Sequence, residues 1–297
     1  MIKPFEGFPD EFDSLEEAQA FLERAAAAHN QQPQDELGGL SPAQMHDVLH
    51  GDWFTAGPLR LSLEIEPDDV RDADLLVNAR IFLTAVQEAG GIKTTATGNL
   101  PRAFVALMLE RQRFPAGNVE EIRRYNKTIN EHDVYVLHML RVILEVAKLV
   151  RRFRGRFVLR PAGRELVPES QAGTLYVRLF RTVFREFNLA YLDGGGPESS
   201  GLQHTVAFSL YRLSTAALEW RDPHELAAAV VLPEIYDELV DPRWDDEAAM
   251  RIEARLLRPL EWFGLLERRD LPSPNSFDRS YEVRKTDLFD RFIRFRF

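Results

Sequence analysis

The 297-residue chain carries 47 acidic against 37 basic side chains, a formal net charge of -10, with 45% hydrophobic residues and no cysteine. That length and apolar content can fill one large core or two to three smaller ones. The missing cysteine excludes disulfides and thiolate metal sites, and the acidic balance argues against a generic nucleic-acid coat, whose phosphate contacts need clustered Lys and Arg. Met1 to Gly7 lacks the apolar run of a secretory signal. Val206 to Leu218, the closest approach to a membrane span, is short and interrupted by Arg212. The expectation is therefore a cytoplasmic protein with no membrane partner.

Residues 1–55 read as an N-terminal helical cap. Ser14-Leu-Glu-Glu17 fits a capping box, and Leu15, Ala18, Phe21, Leu22 and Ala25 follow at helical spacing. After the polar segment Asn30 to Gly39, a second helix opens at Ser41-Pro42, and Gly51-Asp52 ends it. Glu64 to Asp74 carries six acids against Arg71 alone and reads as a solvated linker. Leu75 to Ala89 is an amphipathic helix stopped by Gly90-Gly91, and Ile92 to Thr95 is short and β-prone. A helix then starts at Leu100-Pro101 with Asn99 as its cap and runs to Arg111. Phe114 to Gly117 ends it, Val119 to Tyr125 makes a small helix, and His132 to Val146 makes a strongly apolar one.

Lys148 to Arg164 follows, with seven positive charges and no acid. Its arms, Leu149 to Phe153 and Phe157 to Arg160, meet around Arg154-Gly155, where glycine can supply the positive φ of a tight turn. Helix, short strand, helix, helix, hairpin is the order of a winged helix. Beyond it, Leu175 to Tyr191 and Gly201 to Trp220 read as helices separated by the flexible Asp193 to Pro197. The C-terminal part repeats the grammar: a helix over Ala248 to Phe263, Gly264, an arm at Leu265 to Arg269, a turn at Pro272 to Ser276, and a returning arm at Tyr281 to Arg284. Setting Phe157-Val-Leu159 beside Tyr281-Glu-Val283 suggests an internal duplication.

Thr95-Ala-Thr-Gly-Asn-Leu-Pro-Arg102 resembles a motif of a group of uncharacterised bacterial proteins, in which a basic hairpin ending in Leu-Thr-x-x-Gly follows. Here Leu159-Arg-Pro-Ala-Gly163 keeps the frame and replaces the threonine. Gly38 to His46 also resembles a segment ahead of that motif. The resemblance spans about residues 38–165, more weakly the C-terminal part. It implies winged-helix-like folding and transfers no catalytic residue.

Three functional classes remain. The first is nucleic-acid binding through Arg151, Arg152, Arg154 and Arg156 of the hairpin. A second basic stripe, Arg251, Arg255 and Arg258, would add to it from one side of the C-terminal helix. The helix before the hairpin is a poor base reader. His138, Arg141, Glu145 and Lys148 form one narrow polar stripe on it, and Glu145 would repel phosphate. The arginines could also simply solubilise the hairpin or pair with the chain's own acids, as Arg251 would with Glu247. The second class is a protein–protein interaction or assembly module, including a homo-oligomer, since fold alone does not choose. The third is an enzyme. No nucleophile elbow or phosphate loop occurs, and His46 and His50 at helical i, i+4 spacing lack an obvious third metal ligand.

The reading is a mainly α protein with short β-hairpins. Residues 1–72 form the cap and acidic linker, 73–165 a first winged-helix-like module, 166–220 a helical connector and 221–297 a second module. The expected function is non-enzymatic binding, with mainly phosphate contacts to nucleic acid and no cofactor.

Overall fold

Helix dominates, at 60% of the described residues against 10% strand, and the strands form only small antiparallel sheets. The computed structural model describes residues 12–194, 200–240, 247–272 and 280–297. Met1 to Gly7, Gly195 to Pro197 and most of the expected Pro272 to Ser276 turn lie outside them. The chain divides into two units, Met1–Arg60 with Phe295–Phe297, and Leu61–Arg294. The expected divisions at 165 and 220 both fall inside the second.

In the first unit, α1 (Leu15–Asn30) starts as its sequence indicates. The Ser14 hydroxyl accepts from the Glu17 amide, and Glu17 reaches back to the Asp13 amide at 2.9 Å. It has no buried residue. In α2 (Pro42–His50) Ser41 and Gln44 complete a capping box, and Met45 and Val48 are buried. Gly51 caps its end. The returning C-terminus joins this unit through the Arg296 amide, which donates to the Pro58 carbonyl at 3.0 Å.

The second unit opens with the acidic segment, which is no free linker. Its carboxylates face outward, but Ile65, Val70 and Ala73 are buried. A Cβ on Gly173 would overlap the Ile65 carbonyl oxygen, so the two backbones lie in direct contact. Then come α3 (Asp74–Glu88), β1 (Ile92–Lys93), α4 (Arg102–Arg111), α5 (Asn118–Tyr125), α6 (Tyr135–Val146), β2 (Val150–Phe153), β3 (Arg156–Leu159) and the short α7 (Pro161–Glu165). The strands order as β1-β3-β2. Asn99 does not cap α4. Pro101 holds the N-cap position, and the Leu100 amide is taken instead by the Glu131 carboxylate at 2.6 Å.

Next, α8 (Ala172–Arg181) runs into a π-helical turn at Thr182–Glu186, and Phe187 is extended. The continuous helix expected to Tyr191 therefore breaks, and a 3-10 turn over Leu189–Asp193 restarts under an Asn188 cap. Further on come α9 (Ser200–Ala216), α10 (Pro223–Ala229), α11 (Pro233–Leu239), α12 (Glu247–Ile252), a π-helical turn and α13 (Arg258–Trp262). The chain ends its second unit with β4 (Leu266–Asp270), β5 (Tyr281–Lys285) and α14 (Asp287–Phe292).

Several backbone hydrogen bonds recur between the halves of this unit. Lys148 after α6 and Gly264 after α13 both take positive φ, 57° and 69°. The Leu149 amide donates to Leu144 and the Leu265 amide to Leu260, at 3.0 and 2.9 Å. The Arg160 amide then donates to Leu149 and the Thr286 amide to Leu265. Ile92 pairs with Phe157 across the first sheet, and Arg221 bridges Val283 in the second. In this register Phe157 corresponds to Val283, two residues from the Tyr281 that matches it in the sequence pattern. A two-residue slip keeps side chains on the same face of a strand, so the pattern alone could not expose it. Thr286 stands where Arg160 does, its hydroxyl donating to the Gly264 carbonyl at 2.7 Å.

Packing holds these parts by aromatic and aliphatic burial. Phe180 contacts Phe263 and Phe292 with ring centroids 5.2 and 4.9 Å apart. The Tyr176 hydroxyl, buried among them, donates to the Phe263 carbonyl at 2.8 Å. Each such fully buried ring contributes roughly 2–3 kcal/mol of transfer free energy.

Candidate functional site

The first hairpin turns through Arg154 and Gly155, whose φ values are 48° and 71°. Two consecutive positive φ angles define the type I′ connection that matches strand twist. Antiparallel register places paired residues on one face. Val150 with Leu159, and Phe157 with Ile92, face the core and are buried. The outer face therefore carries Phe153, Arg156 and Lys93 in one row and Arg151 with Val158 in the next. Lys93 and Arg156 are like charges directly opposite each other, an arrangement that destabilises a sheet.

Arg151 and Arg154 set their guanidinium groups over the Phe153 ring at 4.8 and 5.1 Å, and Phe153 remains 45% exposed. Arg156 donates to the Gly91 carbonyl at 2.6 Å, while the Gly155 carbonyl accepts from the Thr94 amide at 2.8 Å. These contacts fix the hairpin against the residues on either side of β1. Among the described residues no ion pair joins Lys93, Arg151, Arg154 or Arg156 to a carboxylate. Arg152 differs. It lies on the inner edge and reaches Glu145 at 3.3 Å.

Behind the hairpin, α6 is largely covered: Leu137, Met139, Leu140, Arg141, Ile143 and Leu144 are all buried. Its polar stripe is organised by Glu131, whose side chain has no exposure. That carboxylate accepts from the Leu100 amide, from His138 Nδ1 at 2.9 Å and from Arg141, which also pairs with Glu145. Burial pushes the Glu131 carboxyl up, but the hydrogen bonds from His138, Leu100 and Arg141 outweigh it and hold it below its usual value. Glu131 was not singled out in the sequence. The polar stripe on α6 is legible there, whereas the acid that closes it comes from the turn before the helix.

In the second basic stripe Arg251 and Arg255 face inward, while Arg258 stays partly exposed. Arg255 is 1% exposed and donates to Asp193 at 2.8 Å, and Arg251 pairs with Asp193 and Glu247. Arg258 reaches Glu253 at 3.3 Å. In the second hairpin, Glu267 lies opposite Arg284 and Arg269 opposite Glu282, and both couples form ion pairs. Trp220 sits with Arg269 and Arg284 each 4.6 Å from its ring centroid. A surface cleft of about 580 Å³ beside that hairpin is lined by Asp69, Arg284, Lys285 and Arg291, among others. These are paired as Asp69–Arg291, Glu267–Arg284 and Lys285–Asp290. The structure thus brings Arg151, Arg154 and Arg156 onto one outer surface, joins Lys93 to it, and turns Arg152, Arg251 and Arg255 toward acids.

His46 and His50 stack at 4.2 Å, with His50 Nδ1 bonded to the His46 carbonyl. Asp52 is engaged by the Phe54, Thr55 and Ala56 amides and the Thr55 hydroxyl, whose bonds hold its carboxyl well below the usual range. Among the described residues no cluster of three or more His, Asp or Glu is arranged to hold a metal ion. No helix among them is long and apolar enough to cross a membrane.

The arrangement is that of a mainly helical protein with small antiparallel hairpins, one of them carrying an unpaired cationic surface. Residues 71–173 match the model of the Y4jL N-terminal domain family. The match runs from just before α3 to the start of α8, and so takes in the first hairpin, its sheet and α6. It overlaps most of the 38–165 span inferred from the sequence motif but leaves out Gly38 to His46 and the C-terminal part. No curated protein and no solved structure gives a significant match to the chain.

Proposed function

We propose that the protein is a non-enzymatic binder of nucleic acid, with two winged-helix-like modules in which the first hairpin contacts phosphate. The order α3, β1, α4, α5, α6, β2, β3 and the strand arrangement β1-β3-β2 support the module reading. The recurring bonds around Gly264 and Thr286 support a second copy. One observation carries the function: among the described residues Arg151, Arg154 and Arg156 have no carboxylate partner, while the second hairpin pairs Arg269 and Arg284 with acids across its strands. Burial of α6 argues against base reading in the major groove, because that helix offers almost no free polar side chains. Binding would then be through phosphate and insensitive to sequence.

The test is duplex DNA binding by fluorescence anisotropy across a salt series. Neutralising three to four phosphates gives a log–log salt slope of about -3 to -4. R151A/R154N should reduce that slope by about 2, asparagine being chosen because it tolerates the left-handed conformation at 154. Absence of binding at low salt, to duplex and single strands alike, would remove the proposal.

A further inference from the structure

We infer that the cationic face of the first sheet is built for single-stranded nucleic acid, with Phe153 as a stacking platform. This rests on the proposed phosphate binding and adds to it the class of strand. Duplex DNA presents phosphates and groove edges, and an aromatic ring at a contact surface gains little from either. An unpaired base offers a π-face, and stacking on an aromatic is worth about 1–3 kcal/mol per base. Phe153 is a large apolar side chain beside the turn of the hairpin, and 45% of it stays exposed. Arg151 and Arg154 both lie against its ring, so guanidinium planes that also stack on bases border the same platform.

The surrounding charges fit a backbone running past that ring. Phe153, Arg156 and Lys93 line up across all three strands, placing two cations beside the aromatic. The Lys93–Arg156 couple has a like-charge cost that an intervening phosphate would relieve. Arg156 is held by the Gly91 carbonyl, so its guanidinium is already positioned. A stacked base over Phe153 and its flanking phosphate near Arg156 together define a site of one to two nucleotides on this face.

The experiment uses the full chain with fluorescently labelled oligothymidylate, oligouridylate and a mixed-sequence duplex of equal length at low salt. Single strands should bind at least about tenfold more tightly than duplex. F153A should weaken single-strand binding about tenfold or more, the lower part of the stacking range, and leave duplex binding within about twofold. F153W should restore it. Circular dichroism confirms that the variants fold. Equal binding of single and double strands, with F153A unchanged on both, would overturn the stacking inference while leaving phosphate binding in place. No binding to any of the three would overturn both.

Discussion

Glu131→Ala is the most demanding test of how the first module is held together. The substitution removes the acceptor of the Leu100 amide and the carboxylate that Arg141 and His138 share. A buried amide left without an acceptor costs about 1–3 kcal/mol. Removing one partner of a buried ion pair costs about 3–5 kcal/mol, since the other charge stays buried. Glu145 still neutralises Arg141 in part, so the sum should fall near 3–5 kcal/mol, a large share of a domain's usual stability. Urea unfolding followed by circular dichroism should show a lower midpoint at unchanged slope. Glu131→Leu combined with Arg141→Met should recover much of the loss, because apolar replacement of a whole buried pair is often neutral or better. A loss below about 1 kcal/mol for Glu131→Ala would refute the hub role. The pH dependence gives a second check. The Glu131 carboxyl lies below its ordinary 4.5 in the folded state, so its stabilisation is present above 4.5 and disappears as pH falls through the depressed value. Glu131→Gln should flatten stability over that acid range.

The remaining predictions concern other points of the fold. Burial raises the Glu261 carboxyl to about 7, helped by Glu253 and opposed by Arg268. The folded state then holds a proton that the unfolded chain releases above about 4.5, so this group lowers stability as pH rises from 4.5 to 7. Glu261→Gln should remove that slope and stabilise at pH 8 by about 1–3 kcal/mol, measured as a shift in urea midpoint; an unchanged pH profile would refute it. At Gly163 a Cβ would overlap the Leu149 carbonyl oxygen, which is already bonded to the Arg160 amide. Gly163→Ala should cost more than about 2 kcal/mol, whereas Gly155→Ala meets no neighbouring atom and should pay only for its positive φ.

Local chemistry made much of this readable in the sequence. Gly155 and the alternation of Phe157 and Leu159 placed the first hairpin within one residue of its strands, and Ser14 and Ser41 marked real helix starts. The glycine of the Leu-x-x-x-Gly frame has a packing reason, since Gly163 lies against Leu149. What stayed hidden depends on distant partners. Asp193 neutralises Arg251 and Arg255 from 58 and 62 residues away, so that helix stripe looked exposed. Glu131 meets Leu100 across 31 residues, which no helical wheel of α6 includes. The acid-rich run from Glu64 to Asp74 masked the buried Ile65 and Val70, the first of which lies against Gly173 of α8. Lys93 was placed in a short strand, but its position beside Arg156 required the sheet register.

The two hairpins differ in a way that bears on whether the arginines of the first only keep it soluble. Both leave a helix through a positive-φ residue and return to the same backbone bond, so their strands meet similar constraints. The second carries Glu267 and Glu282 opposite Arg284 and Arg269, a pairing worth about 0.2–1 kcal/mol each. The first accepts Val158 opposite Arg151 and Lys93 opposite Arg156. Solubility alone gives an acidic protein no reason to concentrate unpaired cations there. Val158→Glu separates the readings, because it places a carboxylate across from Arg151 as in the second hairpin. It should raise stability by up to about 1 kcal/mol and weaken nucleic-acid binding with a shallower salt slope, by about one to two phosphates' worth. A variant that gains stability yet binds as before would mean that the hairpin is not the contact surface.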